Sequence, residues 1–213
     1  MIIDQLHLPS KFHEVNPLPK TIYYDGDLAL LDNYTVTIVG SREPTSYGIS
    51  MTHFIVEKLI KHGIVVISGF ARGIDYEAHK RALACGGKTI AVLGCGLDIN
   101  YPKHKSELLE DPKRILRLTE YPAKTSPRPE HFPRRNRLLS ALGDVVIVIE
   151  CVRKSGTMIT AHHAIEQGKD LFCLPGDIRN RYAEGPNYLI SLGAFPITSI
   201  EELERELIRR RDE

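Results

Sequence analysis

The sequence has only four cysteines, and no two of them form a C-x-x-C pair. Cys95, Cys151 and Cys173 lie in or beside apolar strand-like runs, where a thiol serves as a small buried hydrophobic group. This usage indicates a reducing compartment without a disulfide framework. His162 and His163 are adjacent and would point about 100° apart on a helix, so the sequence predicts no metal site.

Long apolar runs and an excess of one charge are also absent. No run approaches the ~18 residues of a membrane span, and the N-terminus lacks the basic and apolar regions of a signal peptide. We therefore expect a cytoplasmic protein. The chain has 28 basic and 27 acidic side chains and a net charge of +1. Without a global basic field, a site for an anion must be local.

Short apolar runs alternate with amphipathic segments from Thr35 onward. Strands are predicted at 35–40, 64–69, 88–94, 114–122, 144–150 and 170–176, with an edge strand in 194–198. Helices are predicted at about 51–62, 75–84, 134–142, 156–167 and 186–192. Strands that are apolar almost throughout and alternate with helices indicate a parallel sheet covered on both faces. The prediction is an α/β, Rossmann-like, doubly wound and mostly parallel sheet.

Three segments follow from this pattern. Residues 1–34 are predicted to be an irregular lead-in, and residues 35–198 the sheet domain. Residues 199–213 read as a charged helix that begins with a Ser-x-x-Glu capping box at Ser199 and Glu202.

Glycines and basic residues follow several predicted strands. In doubly wound folds, ligands bind outside the carboxyl ends of the strands, where glycine allows close approach and helix N-termini favour phosphate. Glycines also follow strands simply to make turns, but several such loops at one edge favour a phosphate-bearing ligand. The predicted phosphate loops contain Gly40, Gly69, Gly73, Gly94, Gly96, Gly156 and Thr157.

The stretch "RPEHFPRRNR" at 128–137 is the strongest candidate for an anion site. Its prolines stiffen the loop, and its arginines enter a helix N-terminus, where the macrodipole disfavours cations. Guanidinium groups suit phosphate, and Phe132 offers a face for base stacking. The alternative is that Phe132 is core and that the arginines pair with Glu130, Asp144 or Glu150.

No motif for catalysis or for a cofactor is complete. "GCGLDI" at 94–99 has Ile99 in place of the third glycine of a dinucleotide fingerprint, "GKT" at 87–89 leads into a strand, and no G-x-S-x-G elbow is present. Asp75, directly before a predicted helix, is interpreted as an N-cap. The sequence therefore predicts no cofactor and no enzyme.

These motifs together resemble the DNA-processing protein A (DprA/Smf) family. The resemblance covers about residues 20 to 198 and lies in "VTIVGSREPTSYG" (36–48), "SGFARGIDYEAHKRAL" (68–83), "TIAVLGCGLDINYP" (89–102), "TEYP" (119–122), "FPRRNRLLSALGDVVIVIE" (132–150), "SGTMITAHHAIEQGK" (155–169) and "LPGDI" (174–178). Phe70 departs from the smaller aliphatic residue usual there, and the extra helical and winged-helix domains of many members are not seen.

The resemblance implies an extended Rossmann fold that binds single-stranded DNA without known catalysis. It further implies protection of DNA during natural transformation, loading of a RecA-type recombinase, and a homodimer. The binding residues carried over are Ser41, Arg42, Phe132, Arg135, Asn136 and Arg137. Charge and position add Arg72, Arg128 and Lys154, and the start of a helix adds Ser155.

Two other functions stay open at this point. The Ser-Gly-Thr helix start resembles nucleoside-monophosphate phosphoribohydrolases, but "RKSGTMIT" lacks their double glycine, and Thr160 or Ala161 replaces the expected acid. A third possibility is a scaffold that recruits a recombinase through the charged C-terminal helix.

Overall fold

The computed structural model describes residues 1–103, 108 and 111–213. Nine strands among these residues form one sheet. The strands are β1 (Ile2–Asp4), β2 (Thr21–Asp25), β3 (Thr35–Val39), β4 (Val65–Ser68), β5 (Thr89–Val92), β6 (Ile115–Thr119), β7 (Val145–Val148), β8 (Asp170–Cys173) and β9 (Phe195–Pro196). The α-helices are α1 (Ser46–Lys61), α2 (Ile74–Ala84), α3 (His131–Leu142), α4 (Gly156–Glu166), α5 (Glu184–Ser191) and α6 (Ile200–Asp212).

The strand order is β1-β2-β6-β5-β4-β3-β7-β8-β9. The seven strands from β6 to β9 in this order are mutually parallel. The chain moves outward from β3 to β6 and then returns to place β7 on the other side of β3. This order confirms the predicted doubly wound sheet, and it puts the topological switch point between β3 and β7, where such folds bind their ligands.

The prediction that residues 1–34 are irregular was wrong. β1 and β2 add to the outer side of β6 as antiparallel strands, and two buried side chains, Phe12 and Ile22, join the core. The strands are short, three and five residues, and the loop between them contains prolines. β1 pairs only with β2, and β6, the other partner of β2, lies some 90 residues further along the chain, so no local pattern marks them.

Helices cover both faces of the sheet. α1, α2 and α6 enclose one apolar core, and α3, α4 and α5 pack with the opposite face in another. α3 starts at His131, three residues before the predicted start, because Pro133 falls in the first turn, where its missing N–H has no helical partner to lose. No helix in the described part of the chain has the length and apolarity needed to cross a membrane.

α6 is held on α1 by an apolar stripe and a cluster of ion pairs. Leu203 and Leu207 are buried in the core beneath the helix. Beside them, the Glu204 carboxylate accepts hydrogen bonds from Lys58 Nζ at 2.9 Å and from the His62 ring at 2.6 Å. The hydrogen bond from Lys58, followed by that from His62, lowers the pKa of Glu204 from 4.5 to about 2.

The contribution of Glu204 to stability should therefore depend on pH. A carboxyl whose pKa is depressed in the folded state stabilises fully above its unfolded value, near 4.5, and loses this effect as the pH falls towards 2. We expect Glu204→Gln to lower the urea midpoint at pH 6, and this difference from the parent chain should shrink as the pH falls below 4.5. Glu201→Gln, an exposed change on the same helix, is the control. A difference that stays constant between pH 6 and 3 would contradict the assignment.

Candidate nucleic-acid interface

A groove of about 700 Å³ opens at the switch point. Its floor is formed by the residues that directly follow β3 and β7 and by the first turn of α4. Its sides come from α3, from the loop before α3 and from the loop after β8. Its volume is within the range of ligand-binding clefts. The predicted residues that line it are Gly40, Ser41, Arg42, Arg128, Phe132, Arg135, Asn136, Ser155, Gly156 and Thr157.

Hydrogen bonds join the elements that form the floor. The Thr157 hydroxyl donates to the Gly40 carbonyl at 3.0 Å, which ties the start of α4 to the end of β3. The Asn136 amide donates to the Gly156 carbonyl at 3.0 Å, which ties α3 to the same turn. Asn136 therefore holds the groove together through contacts within the protein.

Arg135 lies under the groove and is 4% exposed. Its guanidinium donates to the Gly69 carbonyl at 2.7 Å and to the Val92 carbonyl, so it joins the carboxyl ends of β4 and β5. Burial lowers the pKa of Arg135 to about 10, and the nearby Asp75 carboxylate opposes this effect. The side chain is charged at neutral pH, and it adds positive potential beneath the groove while most of its donors are used by the protein.

Arg137 lies outside the groove, contrary to its predicted role with phosphate. Its guanidinium forms two hydrogen bonds with the Glu120 carboxylate, at 2.9 and 2.7 Å, and the two side chains are only 4% and 5% exposed. Arg134 reaches the same carboxylate at 3.6 Å. Ion pairing of these arginines was the open alternative, but the acid is Glu120 and none of those considered. Because the Arg137 guanidinium is buried and already bonded to the Glu120 carboxylate, it is not available to bind an anion.

Phe132 stands at one end of the groove among cationic and aromatic groups. Its ring lies over Gly94, where a Cβ would come within 3.0 Å of it. The Tyr101 ring is 5.7 Å away between centroids, and Arg42 Cζ lies 5.6 Å from the Phe132 centroid. Phe132 is half-buried and Tyr101 is exposed. Both aromatic side chains line the groove.

Four exposed arginines at the groove and beside it form no ion pair with an acid in the described part of the chain. Arg42, Arg128 and Arg181 line the groove itself, and Arg72 lines a smaller cavity of about 50 Å³ behind Phe132. Two acids, Glu43 and Asp75, also line the groove. Guanidinium groups without a partner suit the planar oxygens of phosphate, so this edge of the sheet carries the local basic surface that the net charge does not reveal.

The remaining predicted residues are not all brought together. Gly69 and Gly94 line the smaller cavity. Gly73 and Gly96 line neither cavity, and the Gly96 N–H already donates to the Thr125 carbonyl at 2.9 Å. Lys154 is exposed but does not line the groove. Gly96, Gly73 and Lys154 thus have structural or solvent-facing positions.

The loop after β4 has an unusual backbone. Phe70 has a φ of 55°, a left-handed value rare for side chains other than glycine, and its ring is buried against Tyr76 and His79. Gly73, with a φ of 79°, is the N-cap of α2, and a Cβ there would approach the Ser41 carbonyl to 2.2 Å. The interpretation of Asp75 as the N-cap was wrong.

Asp75 instead lies in the first turn of α2 and is 6% exposed. Its carboxylate accepts a long hydrogen bond, 3.3 Å, from the Ala71 N–H. Burial raises the pKa of Asp75, and the positive charges of Arg135 and Arg42 oppose the rise. The Asp75 carboxylate therefore holds the loop after β4 through this hydrogen bond and interacts electrostatically with the buried Arg135 guanidinium.

Sequence reasoning missed Tyr101, Arg181 and Tyr182, which line the groove. Tyr101 comes from the loop after β5, and the other two come from the turn after β8. Their position after the carboxyl ends of parallel strands was the available signal.

Comparisons with known proteins place this chain among DNA-processing proteins. The family model of DNA recombination-mediator protein A matches residues 1–208. The chain is 38% identical to DNA processing protein DprA of Bacillus subtilis over 194 residues, and 38% identical to protein Smf of Escherichia coli over 204. These alignments cover 90% and 94% of this chain, but only 65% and 54% of the relatives' length.

Solved structures give the same assignment. DNA processing protein A of Streptococcus pneumoniae superposes with a TM-score of 0.91 at 37% identity, over 97% of this chain and 74% of that one. The Helicobacter pylori protein, studied for its single-stranded DNA binding mode, superposes with a TM-score of 0.90 at 34% identity, over 98% and 96%. A molybdenum cofactor carrier protein of Chlamydomonas reinhardtii, at 16% identity and a TM-score of 0.58, shares the fold alone.

Proposed function

We propose, since the chain belongs to the DNA recombination-mediator protein A family, that it binds single-stranded DNA in the groove at the switch point. The observation that carries this proposal is the set of exposed, unpaired arginines, Arg42, Arg128 and Arg181, beside the aromatic faces of Phe132 and Tyr101. Basic side chains that follow a phosphate backbone, together with rings on which bases stack, are typical of single-strand binding.

The chemistry of the groove favours a single strand over a duplex. Stacking on Phe132 or Tyr101 requires a base whose face is free, and in a duplex both faces are already stacked on neighbours. The first turn of α4, with Ser155, Gly156 and Thr157, adds a helix N-terminus that favours a phosphate. Arg135 beneath the floor contributes charge and holds β4 and β5 together, and Asn136 holds α3 against α4.

The proposal extends to the partners of the family. The family description as a recombination mediator supports a handover of the bound strand to a RecA-type recombinase, in the context of natural transformation or other DNA processing. A homodimer would use apolar surface, which Leu192 and Phe195 provide beside the open edge of the sheet at β9, with 59% and 43% exposure. We propose a role in binding and delivery of DNA without a chemical step.

A titration of labelled oligonucleotides across salt concentrations tests this function. We expect single-stranded oligo-dT to bind more tightly than a duplex of the same length. The affinity should fall linearly on a logarithmic plot against salt, with a slope of about −0.7 per phosphate contacted. The mass of the complex, measured in parallel, reports the oligomeric state. Equal affinity for both forms of DNA, or no salt dependence, would contradict the proposal.

A further inference from the structure

The groove has a second aromatic and basic pair at the end away from Phe132. Arg181 and Tyr182 line this end from the turn after β8, and Arg181 Cζ lies 5.0 Å from the centroid of the Tyr182 ring. Arg181 is exposed, and its guanidinium makes no hydrogen bond or ion pair to a residue that the structure describes. The two side chains thus repeat the combination that Arg42 and Phe132 present at the other end.

The backbone around Tyr182 is fixed to the end of β7. The Cys151 N–H donates to the Tyr182 carbonyl at 2.8 Å, and the Gly185 N–H donates to the Cys151 carbonyl at 2.9 Å. The Asn180 side chain closes the turn by accepting from the Tyr182 N–H at 3.0 Å. A ring on an ordered backbone loses little further conformational entropy when a ligand stacks on it.

The separation of the two aromatic positions can be read from the sheet. Phe132 lies over Gly94, which follows β5, whereas Tyr182 is bonded to Cys151, which follows β7. The strand order β5-β4-β3-β7 puts three strand spacings between them, or roughly 14 Å. Stacked nucleotides advance about 3.4 Å along a strand. The backbone positions that carry the two rings are therefore too far apart for neighbouring bases and match bases about four nucleotides apart.

We infer that Arg181 and Tyr182 form a second nucleotide subsite of the groove. The Tyr182 ring stacks on a base, and Arg181 holds the adjoining phosphate. The groove then binds about five consecutive nucleotides, with one outer base at Phe132 and Tyr101 and the other at Tyr182. This subsite rests on the proposed single-strand function and adds to it the length of the bound segment and the residues at its far end.

A series of oligo-dT lengths from dT2 to dT8 tests the subsite. For the parent chain we expect a steep rise in affinity between dT3 and dT5, where the strand first reaches Tyr182. Tyr182→Ala should remove this rise and weaken dT5 binding about tenfold, with dT3 unaffected. Tyr182→Phe retains the ring and should bind like the parent. Equal binding of dT5 by the parent and Tyr182→Ala would overturn the subsite.

Arginine substitutions separate charge from stacking. Arg181→Ala should reduce the salt slope for dT5 by about 0.7, the value for one phosphate contact on a single strand. Arg179→Ala is the matched control. It lies two residues away and is exposed, but its guanidinium is paired with Asp177 at 2.7 Å and it does not line the groove. A control that lowers the slope as much as Arg181→Ala would overturn the role of Arg181.

Photocrosslinking of the parent chain gives a result that does not depend on the folding of a variant. With 5-iodouracil at either end of dT5, crosslinks should map to the peptide containing Tyr182 for one end and to Phe132 or Tyr101 for the other. Crosslinks from both ends to Phe132 or Tyr101 alone would overturn the subsite and leave the proposed function standing. A parent chain that does not bind oligo-dT at any length would overturn both.

Discussion

Replacing Arg42 by alanine should weaken the binding of oligo-dT by about tenfold or more. Arg42 is exposed, lines both the groove and the cavity behind Phe132, and forms no ion pair with an acid in the described residues. A hydrogen bond to a charged group contributes about 1.5–3 kcal/mol, and about 1.4 kcal/mol corresponds to a factor of ten in affinity. The loss should be similar for all sequences, because phosphates carry no base identity.

The Arg42 experiment has two readouts and a matched control. Fluorescence anisotropy of labelled dT20 gives the affinity, and its salt dependence should lose about 0.7 in slope. Arg209→Ala removes the same charge from α6, where the side chain is paired with Glu206 and Glu213, and should leave binding unchanged. The urea midpoint of Arg42→Ala should equal that of the parent, because exposed substitutions rarely shift stability by more than about 0.5 kcal/mol. Unchanged affinity and slope would remove Arg42 from the interface.

Replacing Arg137 by alanine should act on stability and leave DNA binding intact. The Glu120 carboxylate is 5% exposed and accepts two hydrogen bonds from Arg137. The substitution removes both bonds and leaves a buried carboxylate without them. Breaking a buried pair by removing one partner costs about 3–5 kcal/mol. Urea denaturation should show a loss of this size, whereas the folded variant should bind dT20 like the parent, because Arg137 does not line the groove.

A double substitution measures how much of the stability loss comes from the interaction between Arg137 and Glu120. Adding Glu120→Gln to Arg137→Ala removes the stranded charge, so the combined loss of stability should be smaller than the sum of the two single losses. A loss below about 1 kcal/mol for Arg137→Ala, together with a drop in DNA affinity as large as that of Arg42→Ala, would instead assign Arg137 to the DNA.

Part of the fold could be predicted because its signals are local. The β3 and β7 segments are apolar almost throughout, and helical segments alternate with them, so the sequence alone indicates a covered parallel sheet. The same logic placed Gly40, Arg42 and the start of α4 at one edge, since the carboxyl ends of parallel strands meet there. β1 and β2 carried no such signal, because β2 joins the sheet by pairing with β6 far along the chain and β1 pairs only with β2.

The sequence by itself determined the architecture, the family resemblance and the edge of the sheet that carries basic and aromatic groups. Only the tertiary structure decided which of these groups face the groove. Arg135 and Arg137 stand two residues apart on α3, yet one bonds to the carbonyls of β4 and β5 and the other to Glu120. Tyr182 joins the groove from a turn some 50 residues after Phe132. Each partner comes from a distant segment, and only folding brings such segments into contact.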